Sequence, residues 1–200
     1  MISLLWTLAA YQGVCVLQQL REREAKFERA QNFAAQYKKP LLVVGSPVSR
    51  RSIKWAPFLP LAHPCGDYTL DIDPIVKELC PQPVVADVRC IPYPDKFFGA
   101  VFVSHVLEHL SSIEDFAQAV RELHRVAYTV EVAYPRTWNP YTSFVPDHYL
   151  YLDEKPWGWI VTDRVKGIIA EVAKGTGEVL RQWSYKQRRL RCSNSTIVEV

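Results

Sequence analysis

Four short polar features each close or follow an apolar run in this chain. Gly45-Ser46-Pro47 follows Leu41–Val44, Asp71 stands near the end of Tyr68–Ile72, Asp87 follows Pro83–Ala86, and Ser104-His105 follows Gly99–Val103. A carboxylate at a strand end can accept both hydroxyl hydrogens of a ribose. A carboxylate or backbone group after the next strand meets the exocyclic amine of an adenine, and a glycine lets backbone approach the ligand closely. His105 is the first candidate for a general base and His148 the second. His63 and His124 are read as surface or packing residues, and Asp71 with Asp73 also suits a plain strand-end turn and helix cap.

The elements that must position these groups alternate. Leu41–Val44 is a short, continuous, branched apolar run, as expected of a buried parallel strand. Further strands are expected over Tyr68–Ile72, Pro83–Ala86, Gly99–Val103 and Tyr128–Ala133. Short helices are expected near 49–55 and 75–79, the second capped by Asp73 with Pro74 at its first position. An amphipathic helix is expected over Ser112–Val126, with Ile113, Phe116, Ala117, Val120, Leu123 and Val126 on one face. This order predicts an α/β domain with a mainly parallel sheet, whose ligands bind outside the carboxyl ends of the strands. All four polar features fall at those ends. Beyond it, Pro135–Trp159 reads as a long aromatic loop able to cover a ligand. Val165–Ala173 reads as a helix ended by Gly175-Thr176-Gly177, and Glu178–Tyr185 with Thr196–Val200 as a terminal antiparallel pair.

Residues 1–20 carry no charge, and about 20 apolar residues span a bilayer of about 30 Å. This run is a candidate membrane anchor, weakened by Gln12, Gln18 and Gln19, with a packed amphipathic helix as the alternative. As an anchor it would leave Arg21, Arg23 and Lys26, and the rest of the chain, on the cytosolic face; otherwise the chain is expected in the cytoplasm. Residues 21–39 form a connecting helix and 40–200 the main domain. The net charge of +3 over 200 residues demands no nucleic-acid partner. The basic run from Arg181 to Arg191 reads as a blunted edge strand. Five cysteines with no Cys-x-x-Cys pair argue against a zinc site, so no metal is expected, and against a disulfide framework. A reducing compartment is expected.

The stretch ADVRCIPYPDKFFGAVFVSHVLEHL, with RELHRV and TVEVAYP after it, resembles the class I S-adenosylmethionine-dependent methyltransferases, in their small-molecule, ubiquinone/menaquinone C-methylase-like branch. The resemblance runs from about Leu41 to Pro135. It implies a Rossmann-like domain, S-adenosylmethionine as cofactor, and methyl transfer to a small acceptor, lipophilic if the first helix meets a membrane. Cofactor contacts are implied for Gly45, Ser46, Asp71, Ile72, Asp87, Val88 and Ser104, with Asp71 on the ribose and Asp87 and the Val88 backbone on the adenine. Ser104 and His105 would face the acceptor, while Glu108 and His109 would organise the next segment. The family's Gly-rich first turn is reduced here to Gly45, and Pro47 removes a backbone donor. Arg50 and Arg51 follow it. The alternative implied by that change is a methyltransferase-like binding or assembly module without catalysis.

Overall fold

The structure, a computed structural model, describes residues 2–47, 63–136 and 145–184. The expectations for a helix near 49–55, for Arg50 and Arg51, for the run after Ser184 and for Thr196–Val200 lie outside the described residues, as does part of the aromatic loop.

Helix α1 runs unbroken over Ile2–Tyr37. Strands β1 (Leu41–Val44), β2 (Tyr68–Asp71), β3 (Pro83–Val85), β4 (Phe98–Ser104) and β5 (Ala127–Ala133) form a parallel sheet of order β3-β2-β1-β4-β5. Helix α2 (Val76–Leu79) leads into β3, and helix α3 (Ile113–Val126) joins β4 to β5. The mainly parallel, Rossmann-like sheet is as expected.

Alternation along β1 divides the core. Leu41 and Val43 face α1 with Ala100 and Phe102, meeting Phe27, Ala30 and Ala34. Leu42 and Val44 face the other way, with Val101, Val103 and the apolar stripe of α3. Strands buried on both faces read as continuous apolar runs, which is why LLVV was legible. α1 lies close on β4: a Cβ at Gly99 would stand 2.8 Å from Ala34 Cα.

One cap follows the sequence: the Ser112 hydroxyl accepts from the Asp115 N–H at 3.1 Å at the start of α3. The cap expected from Asp73 and Pro74 is corrected: the N-cap of α2 is Ile75, without a side-chain cap. Asp73 instead closes a turn just ahead of it, its carboxylate accepting from the Ile75 N–H at 3.0 Å.

Two expectations after β5 are corrected. Pro135–Trp159 is not a structureless loop, since it contains strand β6 (Leu150–Lys155) and the start of β7 (Gly158–Asp163). Val165–Ala173 is not a helix but a turn and strand β8 (Ile168–Ala173). Asp163 ties that turn by accepting from the Val165 and Lys166 N–H groups at 2.9 and 2.7 Å. IIAEVA fits both periods over so short a window, and pairing with β7 decides it. Strand β9 (Val179–Ser184) pairs with β8, giving an antiparallel sheet of order β6-β7-β8-β9. Trp159 of β7 packs it onto the main core, edge-on to Phe116 of α3 at 5.7 Å and to Tyr134 at 5.5 Å.

Two further expectations are corrected. Among the described residues no helix is long and apolar enough to cross a membrane, so the anchor role of residues 1–20 is not supported. The glutamines that interrupt the run are the physical reason. The cysteines are not all unpaired: Cys65, ahead of β2, is bonded to Cys80 at the end of α2, with Cα atoms 5.9 Å apart.

Candidate active site

Strand order reverses between β1 and β4, so the crevice of this sheet opens at the carboxyl ends of those two strands. Gly45 lies there at φ +105°, and a Cβ on it would stand 2.6 Å from the Ser104 carbonyl oxygen. No other residue meets both conditions without strain. Its N–H donates to the Leu70 carbonyl at 2.8 Å, which ties the end of β1 to β2.

Asp71, at the end of β2, holds the adjoining loops. One carboxylate oxygen accepts from the Ser46 N–H at 2.5 Å, the other from the Asp73 N–H at 2.8 Å. A carboxylate has about four acceptor positions, so these bonds leave it capacity for further donors. Ile72 beside it is 70% exposed, an apolar surface at the crevice that no packing explains.

Asp87 is engaged differently. The Arg89 guanidinium donates to both of its oxygens, at 3.0 Å to one and 2.6 Å to the other, and also to Asp115 at 2.6 Å. The Arg89 hydrogen bond holds the Asp87 carboxyl below its ordinary range. Val88 is buried in the core. The loop they occupy is braced by α3, where Arg125 donates to the Ile91 and Tyr93 carbonyls at 2.9 and 2.8 Å. Arg89 was missed from the sequence; its separation from Asp87 by two residues was the available signal.

Ser104 is buried at the end of β4. His105 follows at φ +52°, a conformation costly for a residue with a Cβ. Its Nδ1 is 3.1 Å from Glu108 Oε1. Glu108 is almost wholly buried. Burial pushes its carboxyl up, but the His105 hydrogen bond and the His105 and His109 charges outweigh this, leaving it below its ordinary range. An ionised carboxylate only accepts, so in the neutral His105 ring the proton sits on Nδ1 and Nε2 is left as an acceptor.

The 3-10 turn Leu107–His109 that carries Glu108 also brings His109 against His148, ring centroids 4.9 Å apart. His148, the second candidate base, is thus buried beside Glu108 and His109. Glu108 and His109 lie in the short turn ahead of α3 and join this cluster, which the sequence did not reveal. His63 is a packing residue as read, edge-on to Phe102 at 5.8 Å, and burial lowers its pKa to about 4.

A shallow, solvent-open groove that encloses only about 10 Å³ adjoins His105, lined with Gln19, Glu22, Arg23, Lys26 and Arg136. Its charged walls come from α1 and the end of β5.

Residues 60–128 match a family model described as a methyltransferase domain. The matched stretch, about a third of the chain, includes Asp71, Asp87, Ser104 and His105. The sequence matches no curated protein. Among solved structures, the chain is similar to the S-adenosylmethionine-bound aminopentose methyltransferase CalS10 of Micromonospora echinaspora, at 12% identity and TM-score 0.41, covering 84% of this chain and 80% of that one. It is similar to the sugar N-methyltransferase KedS8 of Streptoalloteichus sp ATCC 53650, at 17% identity and TM-score 0.40, covering 82% and 68%. It is also similar to the N-methyltransferase NodS of Bradyrhizobium japonicum WM9, in complex with S-adenosylhomocysteine, at 14% identity and TM-score 0.35. That likeness covers 52% of this chain and only 56% of NodS.

Proposed function

We propose that this chain transfers a methyl group from S-adenosylmethionine to a small-molecule acceptor held on the His105 side of the crevice. The observation that carries the reading is the coincidence of the methyltransferase-domain match with Gly45, Asp71 and His105 at the switch point of one parallel sheet.

The residues present fit the cofactor. Gly45 leaves the space a Cβ would fill, Asp71 keeps acceptor capacity for a ribose, and Ile72 offers apolar surface to an adenine. Ser46 and Ser104 complete the strand-end lining. Asp87, clamped by Arg89 at both oxygens, orders the loop that meets the adenine, so that recognition there falls to backbone near Val88. The cofactor's sulfonium supplies an already activated methyl group, so the chain's main tasks are to bind and align. His105 Nε2, with the other nitrogen fixed by Glu108, takes a proton from an oxygen, nitrogen or carbon acceptor. The charged cleft beside it suits a polar acceptor better than a lipophilic one.

A second reading is a methyltransferase-like binding or assembly module. It is favoured by the Arg89 clamp on Asp87 and by Pro47 in place of the expected glycines. Calorimetric titration with S-adenosylmethionine, paired with labelled methyl transfer into small-molecule extracts, separates the two. Saturable binding weakened about tenfold or more by Asp71→Asn, together with labelled product, supports the enzyme. Binding without product over a broad acceptor panel supports the module. No heat at millimolar cofactor would sink the methyltransferase reading.

A further inference from the structure

We infer that Glu108, His109 and His148 form a site for a divalent transition-metal ion such as Zn²⁺, Co²⁺ or Fe²⁺, next to the candidate base His105. One ligand atom from each of the three residues lies within 4.8 Å of the others. Ligands about 2.1 Å from one tetrahedral ion stand roughly 3.4 Å apart, so side-chain rotation of about 1.4 Å or less closes the set.

Three features make this more than a chance cluster. Glu108 is 1% exposed, yet its Oε2 takes no hydrogen bond among the described residues while Oε1 is held by His105. A buried carboxylate oxygen without a donor costs free energy that a cation would recover. His109 Nδ1 is 2.8 Å from the Asp147 carbonyl, so that nitrogen carries the proton and Nε2 presents its lone pair. A ring N–H on a backbone carbonyl is the usual way a metal-binding histidine is oriented. The two contributing segments are also pinned together. The Tyr149 N–H donates to the Glu108 carbonyl at 2.9 Å, while Arg164, from the turn after β7, steadies the second segment by donating to the His148 carbonyl at 2.7 Å.

Two imidazoles and one carboxylate favour borderline transition metals over Mg²⁺ or Ca²⁺, which prefer all-oxygen sets. Three protein ligands leave positions open for an oxygen of the bound small molecule. His105 is then a positioning residue for Glu108 as well as the candidate base. Metal binding stands independently of the proposed methyl transfer, whereas the acceptor contact rests on it.

The test is equilibrium dialysis of the full chain, stripped with chelator, against Zn²⁺. Visible absorption of the Co²⁺-loaded protein then reports nitrogen–oxygen coordination. The expected result is one ion per chain at micromolar or lower concentration, weakened at least about tenfold by Glu108→Gln, His109→Gln and His148→Ala, and unchanged by Cys90→Ser. His109 is exposed, so its variant folds even where a substitution at the buried His148 does not. Sub-stoichiometric binding, or stoichiometric binding that His109→Gln and Glu108→Gln leave intact, overturns the site. Titration of S-adenosylmethionine into the same metal-free preparations reports separately on the methyltransferase reading. Cofactor binding alongside failed Zn²⁺ binding overturns only the metal site, and Zn²⁺ binding with no cofactor binding overturns only the methyltransferase reading.

Discussion

The Ser104 carbonyl stands where a side chain on Gly45 would begin, 2.6 Å from the position of a Cβ. The ends of β1 and β4 therefore fix one another, and the left-handed conformation of Gly45 is part of the crevice wall.

Gly45→Ala puts a methyl group against that oxygen at φ +105°. A cost of about 1–3 kcal/mol is expected from the backbone alone. Denaturant unfolding checks the loss of stability. Titration at a temperature where the variant is still folded is expected to show much weaker S-adenosylmethionine binding, because the end of β1 must shift. Unchanged affinity would separate this turn from the cofactor.

The Cys65–Cys80 bond closes a loop of 15 residues that includes β2 and α2. In the chain-entropy account a loop of that size contributes about 3 kcal/mol. A reductant such as a phosphine, or the Cys65→Ser/Cys80→Ser pair, is expected to lower the melting temperature by several degrees. Thiol counting before and after reduction tracks the bond itself.

Trp159 joins the two sheets. It is 2% exposed and meets Phe116 and Tyr134 edge-on. Trp159→Ala is expected to cost about 3–5 kcal/mol. Hydrogen exchange should show protection lost first in β6–β8, while β1 and β4 keep theirs.

His63 and His124 are held neutral by burial, each with a pKa lowered to about 4. Lys96 and Lys174 add to the effect at His124, and Arg23 and His105 at His63. The unfolded chain takes up these protons near pH 6.5, whereas the folded chain does so only near pH 4. Stability is therefore full above about pH 6.5 and falls as pH drops through that window, by up to about 1.4 kcal/mol per pH unit for each histidine. Unfolding curves between pH 7.5 and 4.5 measure the slope. His124→Gln is expected to reduce it, and an unchanged slope would assign it to other groups.

How much of this was legible varies from element to element, for physical reasons. LLVV could be read as a strand because burial on both faces leaves an unbroken apolar run. The α3 stripe and its Ser112 cap are set by contacts within a few residues. IIAEVA was misread because its pattern serves either period until a neighbouring strand selects one. Glu108 and His109 were read only as the start of a segment because nothing local shows that His148, some forty residues later, packs against them.

By itself the sequence determined the parallel sheet, since the ends of its strands are marked by short-range signals: an apolar run, a turn residue, a carboxylate. It thereby placed Gly45, Asp71, Asp87, Ser104 and His105 at one edge. Tertiary structure alone decided what those side chains face. It turned Asp87 onto Arg89, His105 onto Glu108, and His109 onto His148, and it bonded Cys65 to Cys80. Hydrogen bonds, ion pairs and ligand sets depend on distances of a few ångströms, and such distances between segments remote along the chain exist only once the core has packed.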